Sequence, residues 1–324
     1  TERQLEVEDR RDPMRRAAGL AVLLALAPAG ARAASASNGA AVLRLPASAR
    51  ASALGGAMTA VGGGLDSLDA NPAGAAAVRG PSLLTSVVNG LVDDDFGSLA
   101  YAQPFKLGVA IAGFSYFDAG PVDIVNLDGS QQTVVAERDY VGKAGWAMPL
   151  GGGLSVGAVG KAYKLTLAQS ASASGFAADA GARWVTPLPG LSLGAALQNF
   201  GPDVKFEQAS DPLPLTARGG AAWTLVRPSA DARSFYTATR MTLTADAIQV
   251  RDEAFAAAAG GEFAVDVGAR TSIAVRLGNV FDSASDGGLS FGFGLREGRF
   301  TGDYALTGRG ALGNVQNVAL GVRF

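Results

Sequence analysis

The stretch that decides the fold is Val315-Gln316-Asn317-Val318-Ala319-Leu320-Gly321-Val322-Arg323-Phe324. An apolar set alternates here with a small or polar set: Val318, Leu320, Val322 and Phe324 against Asn317, Ala319, Gly321 and Arg323. Because successive side chains point to opposite faces of a strand, the stretch predicts one strand with one apolar face. A last strand that ends on an aromatic residue is usual in bacterial outer-membrane barrels, where it closes the sheet. The stretch therefore predicts such a barrel.

The composition excludes several classes of protein. The chain of 324 residues has no Cys and no His, and only 17% of its residues are charged, below the usual share. Without Cys there are no disulfides or thiolate metal sites, and without His a Ser–His or Asp–His catalytic pair is impossible. The net charge of −2 gives a nucleic-acid partner no electrostatic support. We therefore predict that the protein is not an enzyme, has no cofactor or metal and binds no nucleic acid.

The beginning of the chain has the pattern of a secretory signal peptide. Met14-Arg15-Arg16 is a basic start, residues 17–27 are an apolar run, and Ala31-Arg32-Ala33 has the small-x-small form of a cleavage site. We therefore predict a signal peptide over residues 14–33. Residues 1–13 are charged and lack a Met, so they look like an over-extended gene start. This pattern predicts export to the cell envelope.

The next segment, residues 34–80, is dominated by Ala, Gly and Ser and has few large apolar side chains. Such a segment is too poor in bulky residues to form its own core. It either stays disordered or packs inside something larger. We therefore predict a hatch, or plug, that occupies the lumen of a barrel formed by residues 81–324.

Within residues 81–324, alternating runs are separated by turn signals. We count fourteen, which begin near Ser82, Ser98, Leu107, Val134, Gly153, Gly175, Leu191, Leu215, Thr239, Ala256, Thr271, Gly288, Arg299 and Val315. A tilted strand of about 9–11 residues crosses a bilayer, and the runs fit that length. The sequence therefore predicts an all-β fold, a transmembrane antiparallel β-barrel of about fourteen strands with an N-terminal lumenal hatch.

The joins between runs are an independent indication of a barrel. Short joins follow even-numbered runs: Pro104-Phe105-Lys106, Pro149-Leu150-Gly151-Gly152, Pro187-Leu188-Pro189-Gly190, Gly268-Ala269-Arg270 and Gly298. Long joins at residues 118–133 and 201–214 follow odd-numbered runs, as expected for periplasmic turns and outer loops. The even join at residues 227–238 is an exception. A soluble β-sandwich explains the alternation equally well, but not the signal peptide, the terminal Phe and fourteen runs together.

Several motifs also resemble a known family. They are Gly39-Ala40-Ala41-Val42-Leu43-Arg44-Leu45, Ala49-Arg50-Ala51, Leu54-Gly55-Gly56-Ala57, Asn71-Pro72-Ala73-Gly74, Leu193 to Pro202, Leu213-Pro214-Leu215 and Leu312 to Asn317. In order and spacing the chain resembles PorV/PorQ family proteins, which belong with the FadL-like outer-membrane barrels. The resemblance covers nearly all of the chain after the signal peptide. It implies a fourteen-stranded barrel with a hatch that carries the Asn-Pro-Ala motif.

The resemblance implies two different functions. FadL carries long-chain fatty acids across the outer membrane, whereas PorV proteins accept and hand on cargo in type IX secretion. We predict transport of a hydrophobic small molecule across the bacterial cell outer membrane, with a non-enzymatic secretion accessory as the alternative. The expected partners are outer-membrane lipid and lipopolysaccharide, the barrel-assembly machinery, and either a hydrophobic ligand or a secreted cargo protein.

The hatch motif Asn71, Pro72, Ala73 and Gly74 is the first candidate site. Pro72 biases Asn71 toward an extended backbone, and an Asn side chain can bond nearby backbone groups. The motif is either a hatch element that seals or gates the lumen or an ordinary structural turn, and the two interpretations overlap.

Charged residues on the small or polar face of the runs form the second candidate site. The cations are Lys161, Arg183, Arg276, Arg296 and Arg323, and the carboxylates that can pair with them are Asp179 and Asp246. We expect them to face the lumen, because a cation on the lipid face costs about 2–4 kcal/mol at the midplane. They either fill the lumen as ion pairs or hold an anionic head group. Phe324 is the predicted assembly signal.

Other motifs favour ordinary structural roles. Asp93-Asp94-Asp95, and Asp123, Asp128 and Asp139 in and beside the second outer loop, are more typical of solvated loop carboxylates than of a cation site. Gly62-Gly63-Gly64 lacks the following Lys-Ser or Lys-Thr of a phosphate loop. It predicts flexible backbone in a crowded lumen.

Overall fold

The computed structural model describes residues 39–90, 94–125, 130–168, 171–206, 209–229, 235–282, 288–308 and 313–324. The predicted signal peptide at residues 14–33 lies outside these ranges, as do residues 1–13, Asp93 and Asp128.

β-strands make up most of the described part of the chain. Its strands, in chain order, are β1 (Ser82–Asn89), β2 (Asp95–Phe105), β3 (Gly108–Asp118), β4 (Pro121–Val125), β5 (Gln131–Val135), β6 (Glu137–Gly151), β7 (Leu154–Leu167), β8 (Ala171–Val185), β9 (Leu191–Phe200), β10 (Val204–Phe206), β11 (Ala209–Asp211), β12 (Thr216–Pro228), β13 (Ala238–Val250), β14 (Ala256–Val267), β15 (Thr271–Asp282), β16 (Leu289–Glu297), β17 (Phe300–Gly308) and β18 (Asn314–Arg323). No helix in the described ranges is long and apolar enough to span a membrane.

Fourteen of these strands form one closed antiparallel barrel. The other four form two separate hairpins, β4–β5 and β10–β11. Closure is made by β1 and β18, which pair from Ser82 opposite Arg323 to Asn89 opposite Gln316. The predicted fourteen runs are confirmed, and each begins within four residues of a barrel strand. A β-sandwich is excluded, because no strand of the barrel is an edge.

The outer face of the barrel is apolar around its circumference. In β18, Val318 and Leu320 point outward and are 47% and 59% exposed, whereas Asn317 and Ala319 point inward and are buried. Exposed aromatic side chains lie toward both ends: Tyr101, Phe105, Trp146, Trp184, Trp223 and Phe300 at one, and Phe114, Tyr140, Phe176, Phe200 and Phe281 at the other. An apolar band between two aromatic girdles is the surface of a transmembrane barrel.

The two ends of the barrel differ in their connections. We call the end with Ser82 and Arg323 the turn rim, and the end with Asn89 and Asn314 the loop rim. Five of the six joins at the turn rim are short, and the sixth, residues 229–237, is the exception that the sequence indicates. The loop rim carries the longer joins with their hairpins, although the join between β7 and β8 has only three residues. The turn rim is therefore the predicted periplasmic side.

The hatch fills the lumen and runs from one rim to the other. At the loop rim the Gly39 amide donates to the Pro212 carbonyl at 3.1 Å, and at the turn rim the Phe324 amide donates to the Pro81 carbonyl at 2.8 Å. Between them lie the short helix α1 (Ala49–Ala53) and the 3-10 helices Ala41–Arg44, Leu65–Ser67 and Pro72–Ala77. Leu54 and Met58 of the hatch are fully buried. The segment packs against the barrel wall, and Leu54, Met58, Ala60, Val61 and Ala70 form a small buried apolar cluster with Ala222 of the wall.

Glycines on the inner face of the wall make room for the hatch backbone. A Cβ at Gly157 would lie 2.6 Å from the Pro72 carbonyl carbon, and one at Gly278 would lie 2.3 Å from the Gly55 nitrogen. A Cβ at Gly194 would lie 2.1 Å from the Thr59 oxygen. Real Cβ atoms do not approach backbone this closely, so the hatch touches the wall where the wall has no side chain. This accounts for part of the high glycine content.

Deleting Phe324 is expected to lower the amount of assembled barrel in cells more than it lowers the stability of refolded barrel. The Phe324 side chain is 67% exposed, so it adds little packing, and its amide makes one backbone bond, a net contribution of about 0.5–1.5 kcal/mol. Heat-modifiable migration of the outer-membrane fraction measures assembly, and urea titration in vesicles measures stability. Phe300→Ala, at another exposed aromatic of the same rim, is the control. Normal assembly of the deletion would show that Phe324 is not an assembly signal.

Candidate functional site: the hatch and the lumen wall

Asn71 joins three parts of the molecule through its side chain. It is fully buried and has the extended backbone that Pro72 favours, with φ −159° and ψ 108°. Its Oδ1 accepts from the Ala73 amide at 3.0 Å and so caps the 3-10 helix Pro72–Ala77. Its Nδ2 donates to the Thr59 carbonyl at 2.7 Å and to the Ala182 carbonyl of β8 at 2.9 Å. Asn71 is therefore both a turn residue and a bridge from hatch to wall.

The rest of the hatch motif is packed without spare room. Pro72, Ala73 and Gly74 are all buried. A Cβ at Gly74 would lie 2.8 Å from the Val61 carbonyl oxygen, and the Gly74 oxygen accepts from the Gly63 amide at 3.1 Å. The motif therefore fixes the hatch onto itself as well as onto β7 and β8.

The second anchor of the hatch lies at Asp246 of β13, three strands round the barrel from β8. Its Oδ2 accepts from the amides of Met58 and Thr59, both at 3.0 Å, and from the Thr59 hydroxyl at 2.6 Å. Arg218 of β12 donates to the same oxygen at 3.3 Å and to the Gly56 carbonyl at 2.6 Å. Four donors therefore meet this one oxygen, three of them from the hatch, whereas Oδ1 is buried without a hydrogen-bond partner in the described part of the chain.

The third anchor is a chain of buried ion pairs beside α1. Arg50 of the hatch donates two hydrogen bonds to Glu262 of β14, both at 2.8 Å. Arg276 of β15 donates to Glu262 and to Asp303 of β17, both at 2.6 Å. Burial alone would lower the pKa of Arg50, but the attraction of Glu262, Asp66 and Asp303 and the hydrogen bonds to Glu262 together outweigh it and raise the pKa above its ordinary value. Arg50 is therefore always charged and held by the wall.

The remaining predicted lumen charges also lie on the inner face. Lys161 of β7 is buried against Asp179 of β8 at 2.7 Å and donates to the Asn199 side chain at 2.7 Å. The Asn199 amide donates to Asp179 at 2.8 Å. The β8–β9 pairing has a register shift between Ala178 and Ala180. Because of this shift, the adjacent side chains of Gln198 and Asn199 both point inward, whereas strict alternation would place only one of them there. Lys161 and Asp179 are therefore an ion pair with a structural role, and Asn199 bonds to both of them.

Three arginines at the turn rim complete the set. Arg183 of β8 donates to the Ala60 carbonyl of the hatch at 2.7 Å. Arg296 of β16 lies 3.4 Å from Asp266, which Arg240 also contacts at 2.7 Å. Arg323 of β18 lines a cavity at this rim. The structure therefore brings Arg296 and Arg323 to one cavity and keeps Lys161 and Asp179 apart from them.

The hatch separates two cavities in the lumen. One, of about 400 Å³, opens toward the turn rim, and the other, of about 240 Å³, lies between the hatch and the ends of the strands at the loop rim. Asp66 of the hatch lines both, accepts from the Ser48 hydroxyl at 3.1 Å and lies 3.8 Å from Arg50. The part of the hatch that separates the two cavities is therefore polar. Its Asp66 lies beside Arg50, which is itself bonded to the barrel wall.

Five residues of these anchors are not among the candidates predicted from the sequence: Arg50, Thr59, Arg218, Glu262 and Asp303. Arg218, Glu262 and Asp303 occupy alternate positions on the inward face of their strands, as Arg276 and Arg296 do. Strict alternation in β12, β14 and β17 could therefore have predicted them. Arg50 and Thr59 lie in the hatch, where no strand period applies.

The interpretation of Asp139 as a solvated loop carboxylate is wrong. Asp139 lies on the inner face of β6, opposite Phe117 and Leu165, and is fully buried. Asp123 fits the expectation, since it lies on the β4–β5 hairpin and accepts from the Thr133 hydroxyl at 2.6 Å. Within the described ranges, no group of three or more acidic side chains is placed to hold a metal ion.

Glu262→Gln is expected to lower the free energy of unfolding by about 3–5 kcal/mol, the usual loss when one partner of a buried ion pair is removed. The variant leaves two buried guanidinium groups, Arg50 and Arg276, with one carboxylate fewer. Urea titration of protein refolded into lipid vesicles measures the change. The matched control is Glu253→Gln, which breaks an exposed hatch–wall pair with Arg44 and should cost less than about 1 kcal/mol. If the two variants lost equal free energy of unfolding, Glu262 would not be an anchor of the hatch.

The fold and the lumen define a class, that of transmembrane β-barrels whose lumen is closed by an N-terminal hatch. No protein-family model and no curated protein sequence matches the chain. Among solved structures, the chain is similar to the Ralstonia pickettii toluene transporter TbuX, at TM-score 0.55 and 14% identity over 86% of this chain and 98% of that one. It is also similar to the Pseudomonas putida toluene transporter TodX, at 0.53 and 12% over 85% and 96%. A third is the CymD monoaromatic hydrocarbon channel, at 0.54 and 12% over 87% and 98%. At these identities the likeness is one of fold.

Proposed function

We propose that this protein carries a hydrophobic small molecule across the bacterial outer membrane. The observation that carries the proposal is the apolar filling of the lumen below the loop rim. Val42 and Leu43 of the hatch, Val141 and Leu165 of the wall and Leu213 of the β9–β12 connection are buried in one cluster there. We call these five residues the loop-rim cluster.

An apolar barrier selects against polar solutes. A porin that passes sugars or ions keeps a polar, water-filled lumen. A polar solute that passed through the loop-rim cluster would have to expose apolar surface to water, at about 25 cal/mol per Å². A hydrophobic solute replaces the contacts that it breaks. The cluster contains hatch residues, so movement of the hatch alone would open it without breaking the barrel ladder.

The similarity in fold to solved structures supports the same proposal. The printed names of the three similar structures are those of toluene transporters and a monoaromatic hydrocarbon channel. Each likeness extends over nearly the whole of the other chain. We therefore propose transport of a hydrophobic compound and an outer-membrane location for this chain. Both proposals rest on that likeness together with the loop-rim cluster.

Uptake by cells tests the proposal. Cells that lack other hydrocarbon channels are given labelled toluene or labelled maltose, with or without the protein. We expect faster entry of toluene and no change for maltose. Val42→Asp places a charge in the loop-rim cluster and should reduce toluene entry, whereas Val125→Asp, exposed on the β4–β5 hairpin outside the barrel sheet, does not touch the path. Toluene entry that is unchanged by the protein, in cells where it is assembled, would contradict hydrocarbon transport.

A PorV/PorQ-type role in protein secretion is the alternative proposal. It rests on the sequence resemblance, which extends through the hatch motif and the closing strand. In that case the loop rim would receive a cargo protein. Comparing the proteins released by cells with and without this chain separates the two functions. Loss of secreted proteins with normal toluene entry would favour the secretion accessory.

A further inference from the structure

The turn-rim cavity is lined unusually for a channel that carries hydrophobic molecules. Its lining includes the arginines Arg50, Arg183, Arg240, Arg276, Arg296, Arg299 and Arg323. The carboxylates in the same lining are Asp66, Glu262 and Asp303. Even when Asp266 is counted, which pairs with Arg240 and Arg296, arginines outnumber carboxylates by three. The cavity is therefore strongly positive.

Three of these arginines are not neutralised by the described part of the chain. Arg183, Arg299 and Arg323 make no ion pair with a carboxylate of the described residues. Arg183 donates one bond to the Ala60 carbonyl, and the Arg299 guanidinium lies 5.2 Å from the centre of the Phe300 ring. Arg323 is joined to Arg299 only through the backbone, since the Arg323 amide donates to the Arg299 carbonyl at 2.9 Å. Their guanidinium groups keep donors for another partner.

The position of the cavity concentrates this charge. The cavity opens from the lumen to the turn rim, where Arg299 and Arg323 are exposed. Its inner part is enclosed by the low-dielectric barrel wall, and such walls focus the field of charges that line a cleft. The arginines come from separate strands: Arg183 from β8, Arg323 from β18, and Arg299 from the turn before β17. The Thr301 hydroxyl lines the same space. Such an arrangement suits an anion with several oxygens better than a planar carboxylate with two.

We propose that the turn-rim cavity is a binding site for a phosphate group. Guanidinium groups form paired, charge-assisted hydrogen bonds with phosphate oxygens. The phosphate could be a free anion of the periplasm or the head group of a phospholipid at the same rim. The proposal goes beyond transport of a hydrophobic molecule and does not depend on it, since its test measures binding.

Calorimetry on the full chain in an uncharged detergent tests the site, with inorganic phosphate and a short-chain phosphatidylglycerol as separate probes. The variant is Arg299→Gln with Arg323→Gln. The matched control, Arg227→Gln with Arg270→Gln, removes the same charge from exposed arginines of the same rim that do not line the cavity. We expect phosphate to bind the unaltered chain and the control alike, and at least about tenfold more weakly to the cavity variant, because each lost guanidinium removes charge-assisted bonds.

The outcomes separate the two sources of phosphate. Binding of inorganic phosphate that depends on Arg299 and Arg323 supports a site for a free anion. Binding of the lipid alone, with the same dependence, supports a head-group site. Binding of neither probe, or equal weakening in the cavity and control variants, overturns the proposal. Heat-modifiable migration confirms that each variant is assembled, so loss of binding cannot be attributed to misfolding.

Discussion

Removal of residues 34–80 is expected to raise single-channel conductance in planar bilayers at least tenfold, because an unfilled barrel of fourteen strands leaves a water-filled path. The barrel should still assemble. Its strands remain, and the two wall carboxylates that hold the hatch keep wall partners, Glu262 with Arg276 and Asp246 with Arg218. No unpaired buried carboxylate is therefore left at either anchor.

The comparison is with the full-length protein in the same bilayers, after both show heat-modifiable migration. The conductance of the truncated protein should scale with salt concentration as expected for an aqueous pore. Equal conductance of the two proteins would mean that the segment does not close the lumen, and the gating role of Asn71 and Pro72 would be lost with it. Failure of the truncated chain to assemble would instead make the hatch part of the barrel core.

Gly157→Ala is expected to displace the hatch. The added Cβ would lie within 2.6–2.7 Å of the Pro72 carbonyl and the Ala73 nitrogen, and backbone atoms cannot turn aside as a flexible side chain can. Overpacking of this kind costs about 1–3 kcal/mol. Faster hydrogen exchange of the hatch amides and a higher conductance are the expected measurements. Gly278→Ala, against Gly55 on the other side of the lumen, should act in the same way.

Gly160→Ala is the matched control. Gly160 lies in the same strand, β7, but points outward, and the nearest atom to its added Cβ is the Ala144 oxygen at 3.8 Å. Both substitutions have the same effect on strand propensity, so a difference between them reports the hatch contact alone. If Gly157→Ala and Gly160→Ala give equal exchange rates and equal conductance, the close approach of hatch and wall has no role in closing the lumen.

The barrel strands could be predicted because their information is local. A side-chain period of two, repeated between turn signals, is enough to locate each strand and its outer face, as β18 illustrates with Val318 and Leu320 outside and Asn317 inside. The inner charges follow from the same period, because a cation is too costly in lipid. Glu262 and Asp303 obey this rule and could have been found by it.

The anchors of the hatch could not be predicted, because they join residues that are far apart in the chain. The Asn71 bond to Ala182 spans 111 positions, and the Arg50 pair with Glu262 spans 212. No period in the sequence relates such residues. The low content of bulky residues predicts that the hatch needs an enclosure, but not which wall each part touches.

Alternation and composition along short stretches are enough to predict the closed barrel, its count of strands, the face that meets lipid and the presence of a hatch. The burial of Asp139, the register shift that turns Asn199 inward and the choice of glycines that admit the hatch depend on the folded molecule. It also gathered arginines of separate strands into one cavity at the turn rim. These features arise when the sheet closes and brings distant strands around a common lumen, so their energies belong to pairs of residues that no local pattern connects.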